Sequence, residues 1–422
     1  MTGGHRPMTA AEKYYTFLHE SWPTNVWFAA ELDRVLPPDQ VAERWRDFSA
    51  RRVLTRLMPT PDLAIVDGGT GRLDFDSREV SAEEIDGEVV REASTSHGTE
   101  KVVHCRYWTL PEEGRSVVCL IAHHAILDGR AGFTELQQFV RFLAGDDVEP
   151  EQEMSVPTPS THGPYPWQTD RRELVALLRT LGDQNRELGR PLPEEWPESS
   201  LVRRPRFTTL VQESGTMGAL GEAAASHGAR PFPALGASGL LAVARAVAGV
   251  EDGTFHLNVS VDLAGPRSVP GPPVAMNVGV LTLRQAVHVD RPWELAVGVT
   301  TSLRQALKRG EGDLFFHLAR VAQVEDLDRG RDLVAAAIHA APPAVSVTHI
   351  GTIPHERDPE WLVRMYANQT PTPNQVMQAV ALEYRGRLVH SVGTDDLRVP
   401  AHVAHALVDE YGRTIETLAG KA

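Results

Sequence analysis

The sequence predicts a mixed α/β fold built as two halves, each with sheet and helices in two layers. Short apolar runs typical of buried strands occur in both halves, between segments whose apolar residues recur at helical spacing. A proline-rich passage divides the two halves. The chain has 422 residues, 42% hydrophobic and 23% charged, so it is globular in composition and too long for one ordinary core. We expect a first subdomain at 1–170, a linker and crossover at 171–206, and a second subdomain at 207–422.

The first half is predicted to alternate between strands and helices. In chain order we expect a strand at 26–32, a helix at 39–52, strands at 102–110 and 116–122, and a helix at 131–144. Pro37 and Pro38 introduce the first of these helices, because proline suits a helical first turn. The two later strands form a hairpin across 111–114, and Gly145 ends the second helix.

Prolines interrupt this pattern at 149–167 and again at 191–205, with a short helix around 174–181 between them. Beyond them the second half again mixes strands and helices. In order we expect a strand at 207–212, helices at 216–227 and 234–247, a strand at 255–263, a helix opening at Pro292, a strand at 344–350, a hairpin of 376–384 with 388–392, and a helix at 401–418.

Composition and charge argue against several classes of function. The net charge of -14 argues against a nucleic-acid partner. No run of about 18 apolar residues and no charged-then-apolar amino terminus occurs, so we expect neither a membrane span nor a signal peptide. Cys105 and Cys119 lie in predicted strands without metal-site spacing, which indicates reduced core thiols in a cytoplasmic protein. ATP chemistry, metal hydrolysis and a serine hydrolase have no motif, and we expect no metal and no permanently bound cofactor.

The most informative stretch is His123-His124-Ala125-Ile126-Leu127-Asp128-Gly129, directly after an apolar strand-like run. Histidine titrates near neutral pH, and a carboxylate can fix its tautomer, so this pattern indicates a general-base site. The carboxyl end of a strand is also where α/β sheets tend to place their sites. The alternative is a strand end whose histidines satisfy only local hydrogen bonds.

HHxxxDG at a strand end resembles the motif of the superfamily of chloramphenicol acetyltransferase, nonribosomal-peptide condensation domains and polyketide-associated (Pap-type) acyltransferases. Later landmarks follow in the order of the Pap-type proteins across nearly the whole chain: Val261-Asp262-Leu263, Pro272-Pro273-Val274, Asn277-Val278-Gly279, Val347-Thr348-His349-Ile350-Gly351 and Tyr384-Arg385-Gly386-Arg387-Leu388. The resemblance implies two chloramphenicol-acetyltransferase-like subdomains facing each other across a substrate tunnel. A thioester donor enters from one side and the acceptor from the other.

The resemblance also implies roles for individual residues of the motif. His124 is the expected base, taking a proton from the acceptor as it attacks the thioester carbonyl. Asp128 has a structural role, holding the motif by a salt bridge, and Gly129 allows close approach of backbone and substrate. His123, Asn277 and His349 are expected to border the substrate, His123 as a packing or hydrogen-bonding neighbour rather than a second base.

Two further roles, that of an oxyanion donor and that of a phosphate ligand, each have a simpler alternative. Thr348 is the candidate donor to the oxyanion of the tetrahedral intermediate, and the alternative is a β-branched residue that only fills a strand position. His349, where relatives usually have Asn, is another candidate donor. Arg203, Arg204 and Arg206 are candidate ligands for the phosphates of coenzyme A or a pantetheine arm, and the alternative is a solvated arginine run.

The chain departs from the family pattern at two places. The arginine that follows VDL in relatives is replaced by Ala264, so the partner of Asp128 is either Arg267 or absent. The early RHPxLR sequence is also missing, and residues 51–54 are its nearest counterpart.

The predicted function is that of a free-standing O-acyltransferase. It would move an acetyl or other short acyl group from coenzyme A to a hydroxyl of a specialised metabolite such as a polyketide. One alternative is a condensation enzyme that takes its donor from an acyl carrier protein and forms an ester or amide. Another is a catalytically silent, condensation-like binding module. The intact His124, Asp128 and Gly129 argue against this alternative, whereas the missing VDLR arginine keeps it open.

Overall fold

A computed structural model describes residues 4–95, 100–151, 165–187, 204–262, 278–314 and 324–421. The strands in these ranges are β1 (His5–Pro7), β2 (Asn25–Leu32), β3 (Leu57–Pro59), β4 (Ala64–Asp67), β5 (Asp74–Glu79), β6 (His104–Leu110), β7 (Arg115–His123), β8 (Pro205–Val211), β9 (Asp252–Asp262), β10 (Val278–His288), β11 (Ala344–Thr352), β12 (Leu362–Gln369), β13 (Gln375–Tyr384) and β14 (Arg387–Asp395).

The helices lie between these strands and cover their faces. They are α1 (Ala10–Ser21), α2 (Pro38–Arg51), α3 (Ile85–Ser94), α4 (Gly129–Leu143), α5 (Pro166–Thr169), α6 (Arg171–Glu187), α7 (Thr216–Ser226), α8 (Pro231–Ala242), α9 (Pro292–Arg309), α10 (Leu327–Ala340) and α11 (Ala401–Leu418). Short 3₁₀ turns complete the first half, and a π-helical turn, Val243–Ala248, continues α8. The predicted mixed α/β organisation is confirmed.

Two large sheets form the body of the molecule. One has the order β12-β2-β7-β6-β5, and the other has the order β10-β9-β11-β13-β14-β8. A small sheet, β1-β4-β3, lies beside the first. Strand β12 comes from the second half of the chain but pairs antiparallel with β2 in the sheet of the first half. The division into 1–170, 171–206 and 207–422 stays a prediction. Strand β12 belongs to the range 207–422, yet it lies in the sheet formed by the range 1–170.

Each large sheet has its own hydrophobic core. In the first half, α2 and α4 cover the sheet through the rings of Trp45, Phe48 and Phe139, which contact one another. In the second half, α8 and α11 cover the sheet, and Gly239 of α8 lies so close to β11 that a Cβ there would be 3.1 Å from the Val347 side chain. Close packing of this kind keeps helix and sheet in one register.

One helical stretch of the described part, Pro231–Ala248, is long and apolar enough to span a membrane. Two thirds of it, 67%, is buried inside the protein, where α8 lies between the sheet and α11. Its hydrophobicity therefore matches a core helix of this fold.

Helix α1 joins the two halves. It begins with a capping box in which Thr9 and Glu12 satisfy each other's backbone N–H groups, and Arg6 binds Glu12 through two hydrogen bonds of 2.8 and 2.6 Å. Its Phe17 ring covers Gly330 of α10, where a Cβ would lie 2.3 Å from the ring. Through this contact α1 packs on a helix of the second half, and it presents Tyr15 to the space between the sheets.

Candidate active site

A cavity of about 190 Å³ lies between the two halves. The ends of β2, β7 and β12 and the start of α4 form one wall, and β9, β10, β11 and β13 form the opposite wall. Tyr15 of α1 closes one side. The cavity therefore lies where the resemblance places a substrate tunnel, and it contains residues from distant parts of the chain.

His124 follows the last residue of β7 and borders this cavity with 8% of its surface exposed. Its Nδ1 lies 3.0 Å from the carbonyl oxygen of Leu127. A carbonyl can only accept, so Nδ1 carries the hydrogen, and the neutral ring has its lone pair on Nε2. The ring of Tyr15 packs against the imidazole with 4.3 Å between centroids. A fixed tautomer with its lone pair on Nε2 is what a general base requires.

The electrostatic surroundings keep His124 neutral. Burial lowers its pKa below the ordinary 6.5, while hydrogen bonds with the Leu127 backbone and the Gln369 side chain oppose that shift. Burial lowers the pKa of His19, behind it on α1, to about 4. Near pH 7 both rings are therefore uncharged, and His124 is available to accept a proton.

Asp128 and Gly129 shape the start of α4. The Asp128 carboxylate accepts a hydrogen bond of 2.8 Å from the Ala131 backbone N–H and so caps the helix. A Cβ on Gly129 would lie 2.5 Å from Cδ1 of Ile350 on β11, so glycine lets the helix approach the opposite sheet. Ala264 and Arg267, the positions that bear on the missing family arginine, lie outside the described residues.

Arg130 forms an ion pair across the cavity rim that the sequence did not predict. Its guanidinium lies 2.9 Å from the Asp262 carboxylate, at the end of β9. Asp262 is the aspartate of the Val261-Asp262-Leu263 motif, so this motif contacts the residue that follows HHxxxDG. The pair links the first half to the second.

Thr348 of β11 faces His124 from the second half. Its hydroxyl lies 3.0 Å from the hydroxyl of Ser260 on β9, and both residues border the cavity. Successive strand side chains point to opposite faces, so the side chain of His349 goes to the helix-covered face, in register with Ala381 and His390. Burial lowers the pKa of His349 to about 4. His349 borders the cavity, but Thr348 is the residue whose hydroxyl points toward it.

His123 takes a different position from His124. The ring packs on His19 with centroids 4.3 Å apart, and its Nδ1 accepts a hydrogen bond from the Ala125 N–H at 3.1 Å. It is buried and does not line the cavity, so its place is that of a packing residue.

Of the predicted arginine cluster, the two described members, Arg204 and Arg206, do not line the cavity. Arg206 donates two hydrogen bonds, of 2.8 and 2.9 Å, to the Asp396 carboxylate at the β8 edge. The Arg204 N–H donates to the Asp395 carboxylate, and the Arg204 carbonyl accepts from the Asp396 N–H. Arg203 and Asn277 lie outside the residues that the structure describes.

The cavity residues that the sequence did not single out include Tyr15, Ser260 and Gln369. The capping box at Thr9 and Glu12 is a readable signal for α1, and so for a helix that carries Tyr15. Ser260 lies in a predicted strand and reaches Thr348 only through sheet register. Gln369 arrives through the crossing of β12 into the other half's sheet.

Cys105 and Cys119 are both buried free thiols, as predicted. Burial raises the pKa of each thiol, so neither is poised as a nucleophile. No group of three or more metal-ligating side chains occurs in the part of the chain that the structure covers.

No family model and no curated protein matches the chain in sequence. Among solved structures, the trichothecene 15-O-acetyltransferase TRI3 of Fusarium sporotrichioides matches with a TM-score of 0.70 and 12% identity, over 98% of this chain and 94% of that one. Polyketide synthase associated protein 5 of Mycobacterium tuberculosis matches with a TM-score of 0.64 and 15% identity, over 99% of each chain. The EpoB cyclization-docking bidomain of Sorangium cellulosum matches with a TM-score of 0.64 and 13% identity, over 99% of this chain and 86% of that one. The chain therefore has the fold of condensation domains and chloramphenicol-acetyltransferase-like proteins, in agreement with the predicted resemblance.

Proposed function

We propose that the protein is an acyltransferase that moves an acetyl or other short acyl group from a coenzyme A thioester to a hydroxyl of a specialised metabolite such as a polyketide. His124 is the general base. The observation that carries this proposal is the fixed tautomer of His124, with its Nδ1–H on the Leu127 carbonyl, at a cavity between the two halves. The shared fold with an O-acetyltransferase and with a polyketide synthase associated protein is consistent with it.

The proposed reaction needs one proton acceptor and one oxyanion donor. Nε2 of His124 takes the proton of the acceptor hydroxyl while its oxygen attacks the thioester carbonyl, and the tetrahedral intermediate forms. The carbon–sulfur bond then breaks, and the imidazolium returns the proton to the leaving thiolate. The products are an ester and a free thiol, and no covalent enzyme intermediate is required.

The Thr348 and Ser260 pair is suited to stabilise the intermediate. If Ser260 donates to the oxygen of Thr348, the Thr348 hydrogen is free to point into the cavity toward the oxyanion. A preorganised donor at this point is worth several kcal/mol. Asp128 caps α4, so its part is to hold the motif in place.

The donor is proposed as acyl-CoA, with phosphopantetheine on an acyl carrier protein as the second candidate. Several solved structures of the same fold are domains of nonribosomal peptide synthetases, which favours the carrier-bound alternative. The predicted phosphate ligands give no support to either donor, because Arg206 is held by Asp396 and Arg203 lies outside the described residues. A cytoplasmic location belongs to the same proposal and is supported by the two reduced, buried cysteines.

The first test is thiol release from acetyl-CoA with a panel of polyketide alcohols, comparing the wild-type protein with His124→Ala. Loss of the base is expected to reduce acceptor-dependent release about 10²–10⁴-fold. His227→Ala is the matched control, because that histidine is exposed directly after α7 and does not line the cavity. Equal activity of wild type and His124→Ala would refute the mechanism. If neither the wild-type protein nor His124→Ala releases thiol, the assay is repeated with a carrier-bound donor. Absence of activity there as well favours a binding module.

A further inference from the structure

The second-half wall of the cavity carries a polar pair beside Thr348 that the proposed chemistry does not use. Ser346 and Thr348 are two residues apart on β11, so their side chains share a face of the sheet. Ser346 is paired with Gln378 of β13, and both border the cavity. At the usual rise of a strand, this pair lies about 7 Å from Thr348 along β11. It is therefore within reach of a substrate that reacts at His124.

A chain of hydrogen bonds fixes the orientation of the Gln378 carboxamide. The backbone N–H of Thr372 lies 2.7 Å from one end of the Gln375 side chain. An N–H can only donate, so that end of Gln375 is its oxygen and the other end is its nitrogen. This nitrogen donates to Oε1 of Gln378 over 2.8 Å. The oxygen of Gln378 is thus engaged, and its Nε2 is left with two N–H donors.

These donors have no protein partner in the described part of the chain. Gln378 is 3% exposed and Ser346 is 4% exposed, and neither Nε2 of Gln378 nor the Ser346 hydroxyl bonds to a described residue. The neighbouring carboxamide of Asn368 differs, because it donates to the Gln378 and Ser391 carbonyls and accepts from a backbone N–H. An unmade hydrogen bond of a buried group costs about 1–3 kcal/mol. A ligand that brings an acceptor oxygen to Gln378 and Ser346 removes this cost.

The distribution of charge in the cavity decides what kind of oxygen fits. Among the described lining residues the one guanidinium is that of Arg130, and it is paired with Asp262. Strands β9 and β11 are parallel; Asp262 lies two residues beyond the serine that bonds to Thr348, whereas Ser346 lies two residues before Thr348. The ion pair and Ser346 are therefore on opposite sides of Thr348. An ionised carboxylate beside Ser346 would be buried without a cation, while a hydroxyl or carbonyl oxygen needs only the N–H donors.

We propose that Ser346 and Gln378 form a subsite for a second, neutral oxygen of the acceptor, a hydroxyl or carbonyl several bonds away from the hydroxyl that is acylated. This inference rests on the proposed function of the cavity. The acetyl group of the proposed donor has no such oxygen, so the acceptor supplies it. Gln375 is a positioning residue, since it directs the N–H groups of Gln378 away from itself. The preferred substrates are then alcohols with a further hydroxyl or carbonyl, rather than simple alcohols or hydroxy acids.

The experiment compares pairs of alcohols that differ only in a second hydroxyl or carbonyl. It measures kcat/KM with acetyl-CoA and, in parallel, calorimetric binding of each alcohol without a donor. The wild-type protein is expected to prefer the oxygenated member about 10–100-fold in both measurements. Gln378→Met keeps the length of the side chain but removes the N–H groups, so the preference should fall to a few-fold while the plain alcohol is used as before. Ser346→Ala should reduce the preference less, and it serves as the second variant if Gln378→Met does not fold.

Gln212→Met is the matched control, because this buried glutamine lies after β8, bonds to the Gly412 carbonyl and does not line the cavity. It is expected to keep the full preference. Equal use and equal binding of both alcohols by the wild-type protein would overturn the inference, and so would a preference that persists in folded Gln378→Met and Ser346→Ala.

A second pair of substrates, butyryl-CoA and 3-hydroxybutyryl-CoA, tests the donor as the source of the oxygen. A preference that depends on Gln378 in this pair, with none among the alcohols, would assign the subsite to the acyl chain and overturn its assignment to the acceptor. The binding measurement needs no turnover. If no donor reacts, a binding preference that Gln378→Met abolishes supports the subsite and rejects the proposed function alone. Binding of neither alcohol rejects the subsite.

Discussion

The two walls of the cavity are built in opposite ways. In the wall that carries the motif, the motif itself is held locally: His124 bonds to Leu127, and Asp128 bonds to Ala131, all within one turn of chain. The second-half wall is assembled over long distances. Thr348 meets Ser260 across 88 residues, and other parts of that half reach the base only through sheet pairing. A local wall can be recognised as a motif, whereas a long-range wall becomes visible only after the sheets have formed.

The sharpest test of this contrast removes the hydroxyl of Thr348. Thr348→Val keeps the β-branched shape, so packing of β11 is retained while the donor to the oxyanion is lost. We expect kcat to fall about 10²–10³-fold, the range seen for removal of one oxyanion donor. The acidic limb of the pH profile should stay where it is, because His124 is untouched. Steady-state kinetics with acetyl-CoA measure both.

Ser260→Ala is the companion variant, since it removes only the partner of Thr348. A smaller loss, about tenfold, is expected because the Thr348 hydroxyl remains. If Thr348→Val retains wild-type kcat, the hydroxyl pair has no part in catalysis, and the second-half wall serves binding alone.

A second test concerns the close approach of the two walls. Gly129→Ala places a methyl group against Cδ1 of Ile350, and we expect a loss of about 1 kcal/mol in the free energy of unfolding. Ile350→Val removes that terminal carbon, so the double variant should recover part of the loss. A coupling energy of about 0.5–1 kcal/mol in urea unfolding is the expected result.

Gly71→Ala is the control for that cycle, because a Cβ there meets nothing within 4 Å. It should change stability little and show no coupling with Ile350→Val. An additive cycle for Gly129 and Ile350 would mean that the two walls relax independently.

The smallest expected effect belongs to the ion pair at the rim. Arg130 is 67% exposed and Asp262 is 32% exposed, so solvent screens their attraction. Arg130→Ala should cost about 0.2–1 kcal/mol of stability, and less at high salt. Thermal unfolding at low and high ionic strength measures it. A loss that is large and independent of salt would show that Arg130 acts through packing rather than charge.

Elements with strong local signals were predicted well from the sequence. Helix α11 has the predicted limits 401 and 418, and the β6–β7 hairpin turns across 111–114 as expected. The β13–β14 hairpin has a two-residue loop in which Arg385 and Gly386 both have positive φ, 49° and 73°, the geometry that a tight hairpin with the native twist requires. The helix predicted at 234–247 ends its α-helical part at Ala242 and continues as a π-helical turn.

Elements with mixed patterns were not predicted. Strand β12 carries Arg364, Asn368 and Gln369, so its sequence lacks a clean apolar run. It is stabilised by pairing with β2 and by contacts with β13 and β14 of the second sheet. These contacts include hydrogen bonds from the Asn368 side chain to the Gln378 and Ser391 carbonyls. Such partners are far away in sequence, and tertiary pairing overrides local propensity.

The sequence by itself was enough to single out the HHxxxDG stretch, because the hydrogen bonds that fix His124 and Asp128 are made within a few residues. It also determined the general fold, since the apolar periodicity specifies which segments form strands and helices. Only the tertiary structure decided that Thr348 rather than His349 directs its side chain into the cavity, that Arg206 pairs with Asp396, and that Gln369 borders the same cavity as His124. The physical reason is that periodicity shows which face of a strand is buried, whereas strand register and chain crossover determine which residues contact that face.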